Sequence, residues 1–557
     1  MKLIKYLFAL VLWTIVSSCQ TEHQEANLIV TNATIWTGNK NQPLAEALAV
    51  SGDTILAIGS MDEVMALKGD NTIISDQNGK FITPGFIDSH VHLFFGGFNL
   101  ASVKLRDAKA PAEFIQRIAD FAKTQKPGTW IVGGDWDGKE WASLPEKSWI
   151  DSVTSQHPVF IMRLDGHMGL ANSLALKLAT IDKSVKNVEG GAIVRNKVGE
   201  LTGIFKDNAM NLIFNQLPPP SNEAIDNALV AAMKYLNSNG VTSVHAVWDE
   251  SDAKGYLEGI ERARKNNSLT TRIYTLGSLK NWKNIADKIE AQGKGDQWLK
   301  IDGVKGFVDG SLGSHTAAFN DPFSDISTDS GFFLHTETDL YNWISNADKS
   351  GLQVAVHAIG DRAIHFLLNT YEQVATENGT KDRRFRIEHA QHMAPADFER
   401  FAKLNVIASM QPYHAIDDGR WAEKLIGPVR IKSTYAFKSF FDAGAIVAFG
   451  SDWPVAPATP LEGIYAAVTR RTLDDKNPEG WVPEQKITVE QALIAYTKNG
   501  AYASFEENSK GILEVGKLAD FVILSEDITK IDPVKIRDIK IVQTYVGGKK
   551  VYEIKGN

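Results

Sequence analysis

The chain has 557 residues, 43% of them hydrophobic, which is enough for about two to four domains with sizeable cores. It contains 59 Lys and Arg against 67 Asp and Glu, so its net charge is −8 at pH 7. No block of basic residues appears, and this excludes the electrostatic signature of a nucleic-acid-binding protein.

The first residues have the pattern of a secretion signal. Lys2 and Lys5 precede the apolar stretch 7–16, which is too short to be a good membrane-spanning helix. Val16-Ser17-Ser18-Cys19 follows and resembles the lipobox of a bacterial lipoprotein, with cleavage before Cys19 and a lipid on its sulfur. A plain signal peptide and an uncleaved anchor are the alternatives.

Cys19 is the single cysteine of the sequence, and it falls where this processing needs one. The mature chain then has no cysteine for a disulfide, for catalysis or for zinc. We expect residues 1–19 to be a lipoprotein signal peptide and residues 20–26 a polar tether. The expected location is the bacterial cell envelope, with lipid at Cys19 attaching the protein to a membrane, and Gln20 favours the outer membrane.

Short β runs interrupted by glycines fill residues 27–82, and the same pattern returns in residues 511–557. The C-terminal part includes the hairpin-type turn Gly547-Gly548-Lys549. Two β-rich ends around a different middle predict one small β-sandwich domain formed from both chain ends.

The middle of the chain alternates strands and helices, which predicts an α/β fold and, more closely, a (β/α)8 TIM barrel over residues 83–455. Helical periodicity is clear in 221–236 and 361–377, and residues 456–510 supply closing helices. Residues 93–220 form a large insertion after barrel strand 1 that we expect to cover the barrel mouth. The eight predicted strands are Ile82–His92, Val241–Ala246, Thr271–Leu276, Leu299–Phe307, Gln353–His357, Phe385–His389, Val406–Gln411 and Ala445–Ser451.

Ligand-type residues stand at the ends of five of these strands. His90 and His92 are two residues apart on strand 1, so both imidazoles point to one face, as the first two ligands of a metal must. Active sites of such barrels lie at the C-terminal strand ends. The other strand-end residues are Lys305 on strand 4, His357 on strand 5, His389 on strand 6 and Asp452 after strand 8.

At these motifs the sequence resembles the amidohydrolase superfamily, and within it amidohydrolase family 3, which contains the N-substituted formamide deformylases. The resemblance covers residues 27–555. It rests on Thr83-Pro84-Gly85-Phe86-Ile87-Asp88-Ser89-His90-Val91-His92, Asp165-Gly166-His167, Gly240-Val241-Thr242-Ser243-Val244-His245, Val308-Asp309-Gly310-Ser311, His357-Ala358-Ile359-Gly360-Asp361, Ile387-Glu388-His389-Ala390-Gln391 and Gly450-Ser451-Asp452-Trp453-Pro454.

The resemblance implies a role for each strand-end residue. His90, His92 and Asp452 would bind the more buried metal. Lys305, N-carboxylated by CO2, would bridge to a second metal held by His357 and His389. Zinc suits these ligands, although Mn, Fe and Co have compatible chemistry.

Lys305 has a plainer alternative, an ordinary strand-end lysine paired with an acid. The site would then hold one metal on His90, His92, His357 and Asp452, and His389 would be a transition-state donor.

Residues outside this set receive weaker assignments. His167, in the insertion, and His315, where relatives carry Arg, are candidate substrate contacts. Asp309, which follows strand 4, is a third candidate substrate contact and is expected to shape the pocket floor or a loop turn. Glu388 is expected to point away from His389 on its strand and to be structural. His245 is assigned a structural role, and His335, His365, His392 and His414 are treated as background.

The function implied by the resemblance is metal-dependent hydrolysis of a small molecule, at an amide- or formamide-type carbon–nitrogen bond other than a peptide bond. A metal-activated hydroxide attacks the carbonyl, and Asp452 moves the proton to the departing nitrogen. A mononuclear deaminase and an esterase, lactonase or carbamate hydrolase of the same superfamily are the alternatives. A further alternative is a lipoprotein that binds a ligand without catalysis. The complete set of metal-type residues argues against it.

Overall fold

The computed structural model describes residues 25–138, 141–248 and 255–555. Cys19 and the signal segment lie outside the described residues. Among the described helices, none combines the length and the apolar character needed to cross a bilayer.

Eight parallel strands form the central sheet, and each pairs with the next one along the chain. This order confirms the predicted TIM barrel. The strands are Phe86–Val91, Val241–Val247, Arg272–Ser278, Leu299–Phe307, Gln353–Ala358, Arg386–His389, Ile407–Met410 and Val447–Phe449.

The first predicted strand, Ile82–His92, is divided at Gly85. Phe81–Pro84 pairs within the β-sandwich, and only Phe86–Val91 belongs to the barrel. The division occurs where the chain passes tightly between the two units, because a Cβ on Gly85 would lie 2.2 Å from the Thr242 hydroxyl. One continuous segment therefore joins the sandwich to the metal-type residues.

Helices surround the barrel and fill the connections between its strands. Asn222–Ser238 begins after Ser221, whose hydroxyl accepts a hydrogen bond from the Ala224 N–H at 3.2 Å. The other helices after the insertion are Tyr256–Lys265, Trp282–Gln292, Glu337–Lys349, Asp361–Glu377, Phe398–Lys403, Pro412–Asp418, Ala422–Arg430, Phe437–Asp442, Pro460–Thr469, Val489–Tyr496 and Lys498–Ala503. Short 3-10 turns are Pro395–Asp397, Ile431–Ser433, Pro483–Gln485 and Pro533–Asp538.

Both chain ends build the β-sandwich, as predicted. Its four-stranded sheet has the order Thr54–Gly59, Ala47–Ser51, Ala26–Thr31, Lys68–Asp76, with the helix Met61–Met65 against it. Its six-stranded sheet has the order Lys549–Glu553, Ile541–Val546, Phe521–Leu524, Phe81–Pro84, Thr34–Trp36, Leu44–Ala45.

The insertion after barrel strand 1 has a sheet and a core of its own. Trp136 is fully buried there and stacks on Trp141, with ring centres 6.3 Å apart. The sheet order is Gly191–Arg195, Leu201–Asp207, Met168–Ala171, Val159–Arg163, Ile131–Trp136. The helices are Leu93–Asn99, Pro111–Thr124, Lys147–Ile150, Ser173–Leu178 and Asn211–Phe214, with a 3-10 turn at Asn208–Met210.

The barrel closes between its first and last strands. The Asp452 N–H donates to the His90 carbonyl at 2.8 Å, and the His92 N–H donates to the Trp453 carbonyl at 2.8 Å. Beneath them, the Asp88 carboxylate accepts a hydrogen bond from the Ser451 N–H at 2.8 Å. These contacts, which we call the seam, place three metal-type side chains together.

Gly450 should be irreplaceable at the seam. A Cβ there would lie 2.6 Å from the His90 backbone nitrogen, which cannot move without opening the barrel. We expect Gly450→Ala to lower the free energy of unfolding by about 1–3 kcal/mol, measured by urea denaturation. Gly277→Ala is the matched control, because its Cβ would meet the flexible end of Ile285 and should cost less. Equal stability of the two variants would contradict this account of closure.

Candidate metal centre

A cavity of about 660 Å³ opens at the C-terminal ends of the barrel strands. The insertion supplies part of its wall, through residues such as Met162, Met210 and Phe214, so it does cover the barrel mouth. Its lining includes His92, Lys305, His357, His389, His414 and Asp452.

Three side chains converge on one point at the seam. The Oδ1 atom of Asp452 lies 3.3 Å from His90 Nε2 and 3.2 Å from His92 Nε2. The ligand atoms of this group all lie within 4.8 Å of one another. Such spacings fit three ligands of one ion, which in zinc sites lie about 2.0–2.2 Å from the metal.

The protonation state of His90 indicates that a cation fits between the ligand atoms of His90 and Asp452. His90 Nδ1 donates to the Glu388 carboxylate at 2.5 Å, so Nε2 carries a lone pair. That lone pair faces Asp452 Oδ1, and neither atom has a hydrogen-bond partner among the described residues. Two buried acceptors that face each other repel unless a cation lies between them, so the residues present fit a divalent metal.

Glu388 is held beneath His90 by a buried arginine. Arg386 donates from Nε to Glu388 Oε1 at 2.7 Å and from Nη2 to the Ser89 carbonyl at 2.6 Å. Arg386 Nη1 also lies 2.9 Å from Nδ1 of His245. Glu388, expected to be structural, supports His90 from beneath, and His245 lies in the same network.

The electrostatics keep the imidazoles of His90, His357 and His389 neutral. Burial, followed by the charge of Lys305, lowers the pKa of His90 to about 4. Burial also holds the pKa of His389 well below its usual range and lowers that of His357. Burial alone would raise the pKa of Glu388. The charges of Arg386 and His90 outweigh burial and lower the pKa of Glu388 to about 2. Neutral imidazoles and an ionised carboxylate are the states that bind metals.

Lys305 is buried beside the metal-type residues and lines the cavity. Its Nζ lies 4.0 Å from the centre of the Phe307 ring, a cation–π distance. The structure thus brings Lys305 to the site that the sequence assigns to it.

His357 and Asp309 are linked to each other rather than to the seam. His357 Nε2 lies 3.1 Å from the Gly310 carbonyl and 3.5 Å from Asp309, so this nitrogen carries the proton. Asp309 accepts hydrogen bonds from the N–H groups of Ala318, Ile359 and Gly360. Fully buried and absent from the cavity lining, Asp309 organises loops instead of contacting substrate.

His389 and His414 form a second group with Asp452. All their ligand atoms lie within 4.8 Å of one another. The strand-end pattern does not predict His414 as a ligand, because His414 follows strand 7 by four residues and lies inside the helix Pro412–Asp418. The one sequence feature that indicates His414 as a cavity residue is its position shortly after a strand end.

The two histidines assigned to substrate have different surroundings. His167 lines the cavity, and its Nδ1 is bonded to Asp207 at 2.7 Å. Burial opposes its charge, but Asp207 outweighs that effect and raises the pKa of His167. His315 is not part of the cavity lining and pairs with Asp325 at 3.0 Å. The structure therefore brings His167 to the cavity and leaves His315 outside it.

Replacing Glu388 by Gln should weaken metal binding. The amide cannot hold the Nδ1 proton of His90 as strongly, and such supporting carboxylates are worth about 10–100-fold in metal affinity. Competition with a zinc chelator measures this loss. Glu372→Gln, on the surface beside Arg400, is the control. Unchanged zinc affinity in Glu388→Gln would show that Glu388 does not support His90.

Comparison with known proteins identifies the family. A family profile described as "Amidohydrolase family" matches residues 74–552 of this chain. Protein LONG AFTER FAR-RED 3 of Arabidopsis thaliana is 40% identical over 95% of this chain and 92% of its own length. N-substituted formamide deformylase of Arthrobacter pascens is 27% identical over 96% of this chain and 100% of its own length. An uncharacterized metal-dependent hydrolase from Pyrococcus horikoshii is 29% identical, with a TM-score of 0.73 over 91% of this chain and 99% of its own. This chain belongs to the amidohydrolase family of metal-dependent hydrolases.

Proposed function

We propose that this hydrolase cleaves the carbon–nitrogen bond of a small amide or formamide, with a divalent metal held by His90, His92 and Asp452. One observation carries the proposal: buried His90 Nε2 and Asp452 Oδ1 face each other at 3.3 Å beside the cavity at the barrel mouth. A cation there would satisfy both atoms and lie within reach of a substrate.

Zinc is the metal we propose, with one or two ions per chain. Mixed imidazole and carboxylate ligands suit zinc, and the same donors suit Mn, Fe and Co. Lys305 belongs to this proposal in one of two forms, a free ammonium or a carbamate formed with CO2. A gain of one CO2 in the mass of a Lys305 peptide, prepared without acid, identifies the carbamate.

The chain supplies the proton transfers and the positioning. Bound at this site, a divalent ion would acidify a water and polarise the substrate carbonyl. Asp452 accepts the proton of the attacking water and delivers it to the departing nitrogen. His167, fixed through Nδ1 by Asp207, presents its other edge to the cavity as a donor for the carbonyl oxygen.

The carbon–nitrogen specificity is proposed from the relatives and from the cavity. A relative that matches across its whole length is called N-substituted formamide deformylase. The cavity of about 660 Å³ lies within the size range of small-molecule sites. Phe214, Trp343 and Trp421 give it apolar surface, which suits a substrate with an apolar group beside the amide.

Loss of Asp452 as a proton acceptor should abolish turnover. We expect Asp452→Asn to lower kcat by roughly 100–10,000-fold on any amide or formamide that the wild type hydrolyses. Removal of metal with a chelator should also stop turnover, and zinc should restore it. The control is Asp325→Asn, because Asp325 pairs with His315 away from the cavity.

The same assay separates the rival activities. Screening amides, formamides, esters, lactones and aminated heterocycles measures which bond is cut. Release of ammonia with one metal per chain would indicate a deaminase, and turnover of lactones or esters alone would indicate an esterase-type enzyme. Protein without metal and without turnover would contradict the hydrolase proposal and favour a binding protein.

We also propose that the protein acts in the bacterial cell envelope, attached through lipid on Cys19. Lys2, Lys5, the apolar stretch 7–16 and the position of Cys19 support this location. Labelled palmitate should enter the wild type expressed in a bacterium and should be absent from Cys19→Ser. Equal labelling of both proteins would contradict the anchor.

A further inference from the structure

We infer that Arg163 and Asp137 form a subsite for a hydroxyl group of the substrate, in the part of the cavity wall that the insertion supplies. Both residues line the cavity, and neither is one of the metal-type residues. The inference rests on the proposed function and specifies its substrate further, as a small amide or formamide whose apolar part carries a hydroxyl.

Arg163 is a buried cation whose direction is fixed on two sides. Its side chain is 3% exposed. Its Nη1 donates to Asp165 Oδ2 at 2.5 Å, and its Nε donates to the Asp137 carbonyl at 3.2 Å. Asp165 is held in turn by the hydroxyls of Ser311 and Ser314, which donate to the same oxygen at 2.8 Å and 3.0 Å. These bonds fix the plane of the guanidinium at the cavity wall.

The remaining nitrogen of Arg163 and one oxygen of Asp137 face each other without a hydrogen bond. Arg163 Nη2 lies 3.7 Å from Asp137 Oδ1, beyond hydrogen-bond distance. Asp137 Oδ1 is buried and has no hydrogen-bond partner among the described residues, and Arg163 Nη2 makes no hydrogen bond to them. Buried polar atoms are normally paired, so this donor and this acceptor are available to a ligand.

The gap between these two atoms fits one oxygen. A hydroxyl oxygen can lie at a usual hydrogen-bond length of about 2.8 Å from both atoms when they are 3.7 Å apart. A hydroxyl also has both functions that the gap requires, because its lone pairs accept from Arg163 and its proton is donated to Asp137. A methyl group in the same place would leave a buried donor and a buried acceptor unpaired, which is costly.

The charges around the gap favour a neutral group. Arg163 lies between the carboxylates of Asp165 and Asp137, so both would repel a substrate carboxylate placed there. A substrate ammonium would lie against the guanidinium of Arg163. Arg420 and Asp417 add a further ion pair at the same wall, and Arg420 Nη2 lies 3.5 Å from Asp137 Oδ2. Each cation already has carboxylate neighbours, which leaves hydrogen bonding as the basis of recognition.

Paired formamides test this subsite. N-(ω-hydroxyalkyl)formamides with alkyl chains of increasing length are compared with the N-alkylformamides in which a methyl group replaces the hydroxyl. At the chain length that spans from the metal centre to Arg163, we expect the wild type to have a kcat/KM roughly 10–100-fold higher for the hydroxyl compound, since its methyl partner leaves both buried atoms unpaired.

Variants of the two residues show whether the preference arises at this gap. Arg163→Met and Asp137→Ala should each lose most of the preference, whereas Asp137→Asn, which keeps an acceptor oxygen, should retain part of it. Arg117→Met is the matched control, because Arg117 pairs with Asp107 and Glu113 in the insertion and does not line the cavity. The preference is a ratio measured on one protein sample, so partial unfolding of a variant does not change it.

Saturation-transfer NMR of the same compounds measures binding without turnover, and the hydroxyl compound should have the lower Kd. Equal kcat/KM and equal Kd for the two compounds at every chain length would overturn the inference. A preference that Arg163→Met and Asp137→Ala both keep would overturn it as well. A hydroxyl preference in binding without any hydrolysis would contradict the proposed function and leave the subsite standing.

Discussion

The seam between the first and last barrel strands is the constraint on which the metal centre depends. Strand pairing around the barrel brings Phe86–Val91 beside Val447–Phe449, and backbone hydrogen bonds join His90 and His92 to the segment that carries Asp452. The same bonds that close the sheet therefore fix the ligand geometry. Gly450 permits this approach because it lacks a side chain, so closure and metal binding share one steric requirement.

Below the seam, the barrel interior is charged, and this is unusual for a core. The buried pair of Arg386 and Glu388 contributes little net stability, because desolvation of both ions offsets their attraction. Removal of one partner would nevertheless cost about 3–5 kcal/mol, since a lone buried charge would remain. What the pair provides is orientation: Glu388 fixes the proton on His90, and Arg386 fixes Glu388. The buried ion pair adds little stability to the barrel interior, but it fixes the orientation and the proton of His90.

Strand periodicity and strand-end position were sufficient to predict the barrel, its two-ended sandwich and the convergence of His90, His92 and Asp452. They failed where the backbone departs from regular geometry. Glu388 and His389 both approach His90 because His389 has a positive φ, which alternation along a strand does not anticipate. Strand alternation does not predict a place for His414 in the cavity, because His414 lies past Pro412 on a helix. His315 follows a family motif in sequence, but its turn directs it to Asp325.

The seam also has a consequence for the order of events during synthesis. Asp88 and Ser451, whose hydrogen bond closes the barrel, are 363 residues apart in the chain. Contacts of such separation form late, because the loop between them must be ordered first. A ribosome-bound chain that has made His90 and His92 still lacks Asp452. An ion that needs all three side chains would therefore bind late in synthesis or after it.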